Sequence, residues 1–288
     1  MKVFLNGELV DKEQATVSVF DHGLLYGDGV FEGIRAYNGR VFKLKEHIDR
    51  LFFSAKAILL DIPMTHEEIT RAVVETLNAN GIRDGYVRLV VTRGPGTLGL
   101  NPFKCKNPVV IIIADKIQLY PEQMYVDGMD LITVPTTRNH QNAVNPAIKS
   151  LNYLNNILAK IEAVNAGYEE AIMLNPDGYV AECTGDNIFI IKGDAMMTPP
   201  LEAGALYGIT RQTAIDIATS MGMTVTEPNL TRYDLYNADE CFLTGTAAEV
   251  MPVVKIDGRT IGNGQPGPKT RRIVELYQNL TTTTGEPL

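Results

Sequence analysis

The 288-residue chain has no tryptophan, three cysteines and four histidines, and each scarcity removes a class of chemistry. Cys105, Cys183 and Cys241 are odd in number, widely spaced and without a Cys-x-x-Cys pair, so neither a disulfide framework nor a zinc cluster is indicated; reduced, mostly buried thiols are expected. His22, His47, His66 and His140 lie at no ligand spacing, and no metal site is expected. Cations are outnumbered, 26 Lys+Arg against 34 Asp+Glu, and no basic run reverses the balance, which argues against a nucleic-acid partner. No apolar run reaches the length of a membrane span, and the opening MKVFLNGELV enters a strand-like pattern without a signal-peptide core. No membrane partner and a cytoplasmic location are therefore the expectations. Gly94-Pro95-Gly96 lacks the third glycine of a dinucleotide fingerprint and no Gly-x-x-x-x-Gly-Lys loop occurs, so nicotinamide and nucleoside triphosphate readings both weaken.

What remains is a chain with 45% hydrophobic residues and a mean hydropathy of −0.03, long enough for one large or two moderate domains. Asn6-Gly7 and Asn38-Gly39 read as hairpin turns between strand-like runs. Helices are predicted over about 45–59 and 65–80, followed by the strands GYVRLVVTRG and PVVIIIADKI. This predicts a small α+β domain over 1–117. An interdomain loop is expected at 118–128, around Tyr120-Pro121-Glu122, and a larger mixed domain over 129–288. There, Pro176-Asp177-Gly178 joins two strands, and helices are expected after Lys149, over about 210–221 and over about 269–280. The threonine-rich end at 281–285 is expected to fray.

Lys149 stands out. Leu151, Leu154, Leu158 and Ile161 recur on one helical face, with Ser150 as a plausible N-cap and Gly167 as a stop, which places Lys149 just before a first turn. A cation is disfavoured there by the helix dipole, and the same potential helps hold the amine neutral, the form that attacks carbonyls. Most lysines are solvated surface charges, so only partners elsewhere can decide the matter.

A covalently held carbonyl cofactor with a phosphate, a ring nitrogen and a phenolic oxygen requires three kinds of partner. For the phosphate, Gly208-Ile209-Thr210 leads into a helix, and Thr244-Gly245-Thr246-Ala247-Ala248 forms a small-residue turn after a strand; either can cradle an anion or simply cap. Arg50, off the apolar face of Leu44, Ile48, Leu51 and Ala55, is either the countercharge or a solvated arginine. Glu182 in YVAECTGDNIF can face a ring nitrogen or lie on a polar strand face. Tyr153, four residues after Lys149, reaches the phenolic oxygen or packs in the core.

The segments VFEGIRAYNGRVFKLKEHIDRL, GYVR, RGPGTLGLNP, KSLNYLNN, AECTGDNIF, LYGITR and LTGTAAEV, in that order over nearly the whole chain, resemble the class IV, fold type IV, pyridoxal-phosphate aminotransferases. The likeness is greatest to the branched-chain amino acid enzymes. It implies a two-domain, mixed α+β architecture like that of D-amino acid aminotransferase, pyridoxal 5'-phosphate as cofactor, and a homodimer or dimer-based oligomer. By resemblance Lys149 anchors the cofactor and shuttles the substrate α-proton. Glu182 pairs with the ring nitrogen, Tyr153 with the phenolic oxygen and Arg50 with the phosphate, while Leu206 packs on the ring. Gly208, Ile209, Thr210 and Thr246 complete the phosphate site. For substrate, Tyr86, Thr246 and Ala247 hold the α-carboxylate, Arg88 receives the distal carboxylate of glutamate, and Tyr26, from a second subunit, and Phe31 line an apolar pocket. The implied reaction passes the amino group of leucine, isoleucine or valine to 2-oxoglutarate. D-amino acid aminotransferase, (R)-amine transaminase and aminodeoxychorismate lyase share the scaffold and stand as alternatives; Tyr86-Val87-Arg88 counts against the first, and that motif with VFEGIR against the lyase. A catalytically inert cofactor-binding protein is a rival from another class.

Overall fold

A computed structural model describes Met1–Leu288. The chain divides into two compact units, one comprising 1–117, 148–152 and 281–288, the other 118–147 and 153–280.

In the first unit the strands are β1 (Lys2–Leu5), β2 (Glu8–Asp11), β3 (Gly29–Tyr37), β4 (Arg40–Val41), β5 (Gly85–Thr92) and β6 (Val109–Asp115). The helices are α1 (His22–Tyr26), α2 (Leu44–Ala57) and α3 (His66–Ala79). The all-antiparallel sheet runs from the terminal pair Glu286–Pro287 through β4, β3, β5, β6 and β1 to β2. Both Asn-Gly turns close hairpins, with φ of 50° and 99° at Asn6-Gly7 and 48° and 72° at Asn38-Gly39, the left-handed pair that matches strand twist. Thr65 and Glu68 form a reciprocal capping box that starts α3.

Register gives β3 two different faces. Val30 and Ile34 lie opposite Val91 and Val87, and all four are fully buried in the core that α2 and α3 cover. Phe31, Gly33 and Arg35, opposite Val90, Arg88 and Tyr86, have the other parity and point away from that core. The segment 148–152 docks on the same strand: Ser150 bridges Val30, Phe31 N–H donates to the Lys149 carbonyl at 3.0 Å, and Leu151 N–H donates to Gly29 O at 3.0 Å.

The second unit holds β7 (Met129–Thr133), β8 (Glu170–Leu174), β9 (Val180–Cys183), β10 (Asn187–Lys192), β11 (Ala195–Met197), β12 (Thr224–Thr226), β13 (Glu240–Gly245), β14 (Glu249–Ile256) and β15 (Arg259–Thr260). Its helices are α4 (Glu122–Asp127), α5 (Leu154–Asn165), α6 (Ile209–Ser220), α7 (Arg232–Tyr236) and α8 (Pro268–Thr283). The mixed nine-stranded sheet is ordered β12-β11-β10-β13-β14-β7-β8-β9, with β15 beside β14. No helix is long and apolar enough to cross a membrane.

Four expectations need correction. The helix after Lys149 begins at Leu154 with Tyr153 at its N-cap, because 148–152 is drawn into pairing with β3; Ser150 caps nothing and Lys149 feels no first helical turn. Tyr153 therefore does not sit one helical turn beyond Lys149. The stretch at 118–128 is not a loop: it carries α4, and Tyr120 is buried in the second unit's core. The threonine-rich end does not fray, since α8 continues to Thr283 and Glu286–Pro287 pairs with β4.

Candidate active site

The first unit gathers four of the expected residues on the outer face of β3 and β5. Lys149 Nζ lies 4.6 Å from the Phe31 ring centroid, and the Arg88 guanidinium lies 4.7 Å from the same ring. Arg88 Nη2 donates to Tyr86 Oη at 3.1 Å. The arrangement depends on Gly33, because a Cβ there would come within 2.0 Å of the Tyr86 hydroxyl. A smaller-than-alanine residue lets the phenol lie across the strand. The Lys149 backbone is fixed from two sides, its carbonyl by Phe31 and its N–H by Ser54 Oγ at 3.1 Å. Tyr26 is part-exposed on α1, donating to Leu98 O at 2.9 Å and meeting the His22 ring edge to face at 4.9 Å.

Arg50 differs from the expectation of a residue off the buried face. It is 9% exposed, in a polar stripe of α2 with His47 and Ser54, and it grips Glu32 by Nε and Nη2, both at 2.7 Å. His47 Nδ1 lies 2.8 Å from the same carboxylate. Glu32 is completely buried; burial alone would raise its pKa, but the Arg50 charge and the bonds from Arg50 and His47 prevail and hold it down at about 2. An ionised carboxylate only accepts, so His47 donates from Nδ1. Burial pushes the imidazole pKa down against the pull of Glu32, and the ring is neutral. Two of Arg50's five N–H donors are thus committed to orientation.

The second unit gathers the other set. Glu182 is 5% exposed on β9, with Arg138 Nη2 at 2.7 Å on one oxygen and Leu206 N–H at 2.9 Å and Asn187 Nδ2 at 3.2 Å on the other. Arg138 is itself fastened to Gly204 O and Asn156 Oδ1. Glu182 is thus a buried, cation-paired acceptor rather than a solvated strand residue. Asn187 also donates to Leu206 O at 3.0 Å, and a Cβ on Gly208 would come within 2.1 Å of its Oδ1. Gly208 is the N-cap of α6, so Glu182, Leu206 and the buried Ile209 and Thr210 of the first turn form one connected group. The register Asn187↔Thr244 brings the β13–β14 hairpin loop, with Thr246 and Ala247, to the same end of the sheet. Tyr153, half-buried, stands at the start of α5.

Sequence reading missed Glu32, His47, Arg138, Asn156 and Asn187. Glu32 carried a signal: it has the parity of Val30 and Ile34, so a charge there faces the core and demands a partner. His47 lies one turn before Arg50. Arg138 and Asn156 carried none, being far from Glu182 along the chain.

The profile of "Amino-transferase class IV" matches residues 29–256, and the chain belongs to this family. A Methanocaldococcus jannaschii protein with a provisional branched-chain-amino-acid aminotransferase designation is 54% identical over 99% of this chain and 98% of its own. The crystal structure of the Escherichia coli branched-chain amino acid aminotransferase superposes with a TM-score of 0.96 at 37% identity, covering 99% of this chain and 96% of that one. The T.th. branched-chain amino acid aminotransferase with pyridoxamine 5'-phosphate gives 0.94 at 40% identity, covering 98% and 94%. The same enzyme has been solved with N-(5'-phosphopyridoxyl)-L-glutamate and with 4-methylvaleric acid.

Proposed function

We propose that this protein is a branched-chain amino acid aminotransferase that uses pyridoxal 5'-phosphate and exchanges amino groups between leucine, isoleucine or valine and 2-oxoglutarate. The observation that carries the reading is the Lys149, Phe31, Arg88 and Tyr86 cluster: an amine, an aromatic wall and a guanidinium on one face. An aliphatic side chain needs the wall and a distal carboxylate needs the guanidinium, and the T.th. relative has been solved with an adduct of glutamate and with a branched aliphatic acid.

The donor set fits the cofactor. Glu182, paired with Arg138, would accept from a protonated ring nitrogen; Ile209 and Thr210 at the start of α6, with Thr246 and Arg50, would supply donors and charge for a phosphate; Tyr153 would supply a phenol and Leu206 an apolar contact. When bound, the cofactor supplies a conjugated electron sink. Lys149 is then the anchor and the general base for the substrate α-proton, its backbone clamped so that the amine swings without the chain moving. Tyr86, Thr246 and Ala247 hold the α-carboxylate. Arg88, over the Phe31 ring, would receive the distal carboxylate of glutamate, and the Phe31 side chain would contribute to the apolar wall for the aliphatic substrates.

Self-association belongs to the same reading. Leu154, Ile157, Leu158, Ile161 and Val164 form an i, i+3, i+4, i+7, i+10 stripe on α5, each 47–66% exposed. We assign this stripe to contact with a second copy, and Tyr26 to the partner's site; Leu158→Glu with Ile161→Glu should convert a dimer to monomers in sedimentation equilibrium. Free Cys105, Cys183 and Cys241 suit the reducing cytoplasm.

Three measurements test the activity. Lys149→Ala should abolish covalent cofactor absorbance and turnover, and absorbance retained without added amine would refute the anchor. Among leucine, D-alanine and an aromatic (R)-amine as donors, leucine should be fastest; faster D-alanine would sink the assignment. Arg88→Ala should slow the glutamate half-reaction about 10–100-fold more than the leucine one, the worth of a charged hydrogen bond.

A further inference from the structure

Beside the site, but outside the roles above, lies a buried carboxyl pair. Glu170 on β8 and Asp186 in the β9–β10 turn are 2% and 5% exposed, and Tyr120 Oη stands 3.3 Å from Glu170 Oε2 and 3.3 Å from Asp186 Oδ2. A phenol has one proton and can donate to only one of them. Burial and the neighbouring Asp186 and Glu170 charges hold the Tyr120 proton firmly on oxygen, so the tyrosine cannot resolve the conflict by ionising. The second contact is a hydrogen bond only if a carboxyl supplies the proton.

The donors around each acid decide which one. Glu170 Oε1 receives Ala171 N–H at 2.6 Å, Thr184 N–H at 2.9 Å and the Thr184 hydroxyl at 2.6 Å, and Lys160 Nζ is 3.6 Å from Oε2. Three donors and a cation are thus aimed at the Glu170 oxygens. The Asp186 carboxyl meets the same phenol, while its Oδ1 abuts Gly245, where a Cβ would come within 1.9 Å. Gly245 begins the loop that carries Thr246 and Ala247.

We propose that Asp186 is a positioning residue held as the neutral acid, sharing its proton with Tyr120 and Glu170, and that this neutrality keeps the Gly245–Ala248 loop receptive to an anion. The inference rests on the reading of that loop as part of the phosphate and carboxylate cradle. An ionised Asp186 would put a negative charge against the backbone that must donate to the anion, competing for its N–H groups and repelling the ligand in a medium of low dielectric. The groups facing Asp186 are Glu170 from β8, Tyr120 from the segment before α4, Lys160 from α5, and Glu182 and Cys183 from β9; burial and the acids keep the Cys183 thiol protonated, and Arg138 offsets Glu182. The cation nearest the pair, Lys160, stands beside Glu170. Ionisation of Asp186 is therefore opposed by burial and by Glu170, and the carboxyl pKa is moved up to about 7.

The test uses the holoenzyme. Infrared spectra at pH 6 should contain the carbonyl stretch of a protonated carboxylic acid that is missing from Asp186→Asn. Equilibrium dialysis of pyridoxal 5'-phosphate from pH 6 to 9, with phosphate-free pyridoxal as the control, should show wild type losing about tenfold more phosphate-dependent affinity than Asp186→Asn, the effect of about one pKa unit of differential interaction. If Asp186→Asn does not fold, Glu170→Gln serves: removing the neighbouring charge should shift the loss of the infrared band to lower pH, and an unmoved band refutes the proposal. Absence of the band in wild type overturns it outright. If the band is present but the two affinity curves coincide while Thr246→Ala weakens cofactor binding, the proposal falls and the cradle stands. If Thr246→Ala binds the phosphate unchanged, the cradle reading itself has failed and the proposal with it.

Discussion

Glu32 in the first unit and Asp186 in the second are both acids removed from water, at 0% and 5% exposure, and each touches another titratable side chain. Glu32 is held down at about 2, whereas Asp186 is raised to about 7 by burial and by Glu170. Burial raises the pKa in both places; the difference lies in what stands opposite. Glu32 has a bidentate guanidinium with both bonds at 2.7 Å, and Asp186 has a phenol shared with a second acid. The fold thus keeps one buried acid charged against Arg50 and sets the other, on the proposal above, as the neutral acid beside the Gly245–Ala248 loop. The two are distinguished by a single partner rather than by depth.

Removing that partner should give the largest effect. Arg50→Met keeps the unbranched apolar stem, removes the guanidinium and leaves Glu32 buried beside a neutral His47. Urea unfolding at pH 7 should show a loss of about 3–5 kcal/mol, the cost of leaving one member of a buried pair. The double variant Glu32→Gln with Arg50→Met should recover much of it. A loss below about 1 kcal/mol would mean that the guanidinium does not distinguish the two clusters.

The pH dependence of stability should then differ in sign between them. Glu32 has a folded pKa below its unfolded value, so its contribution is complete above about 4.5 and is lost as pH falls towards 2; the drop from 4.5 to about 2 corresponds to about 3 kcal/mol. Glu32→Gln should flatten the acid limb between those values. Asp186 has a raised folded pKa, so the native state binds the extra proton and stability declines as pH rises from about 3.8 to about 7. Asp186→Asn should remove that decline, a slope of at most about 1.4 kcal/mol per pH unit for one proton. Parallel urea titrations from pH 3 to 8 check both, and a slope of the same sign for the two variants would erase the distinction.

The same contrast marks how far the sequence could be read. Hairpins at Asn6-Gly7 and Asn38-Gly39 and the helices over α2, α3 and α6 follow from local turn chemistry and a period of 3.6, whereas Phe31, Tyr86 and Arg88 were reached only through the family resemblance. Glu32 was legible by parity alone. Asp186 was not: in Thr184-Gly185-Asp186-Asn187 it looks like an ordinary turn residue, and its partners Tyr120 and Glu170 are 66 and 16 positions away. The start of α5 was misplaced for the same reason, since the pairing of Ser150 with Val30 is invisible to any window around Lys149. The apolar stripe of α5 was correctly periodic, yet periodicity states which residues share a face and not what covers it. Here the buried residues are Asn156, Ala159 and Ala163, and the leucines are outside.

The smallest change sharpens the comparison most, because it asks whether any cation would do. Lys160 Nζ is 3.6 Å from Glu170, but its side chain is 37% exposed, and its flexible stem holds a strongly hydrated point charge in place of a planar fork. Solvent screens such a group, so Lys160→Met should alter stability by less than about 1 kcal/mol at pH 7. It should also move the ionisation of Asp186 upward, since the one cation facing the pair helps the charged forms. Infrared titration and urea unfolding of the same variant separate the two readouts. A loss near that of Arg50→Met would show that Lys160 holds the pair as Arg50 holds Glu32, and the neutral state of Asp186 would then need another cause.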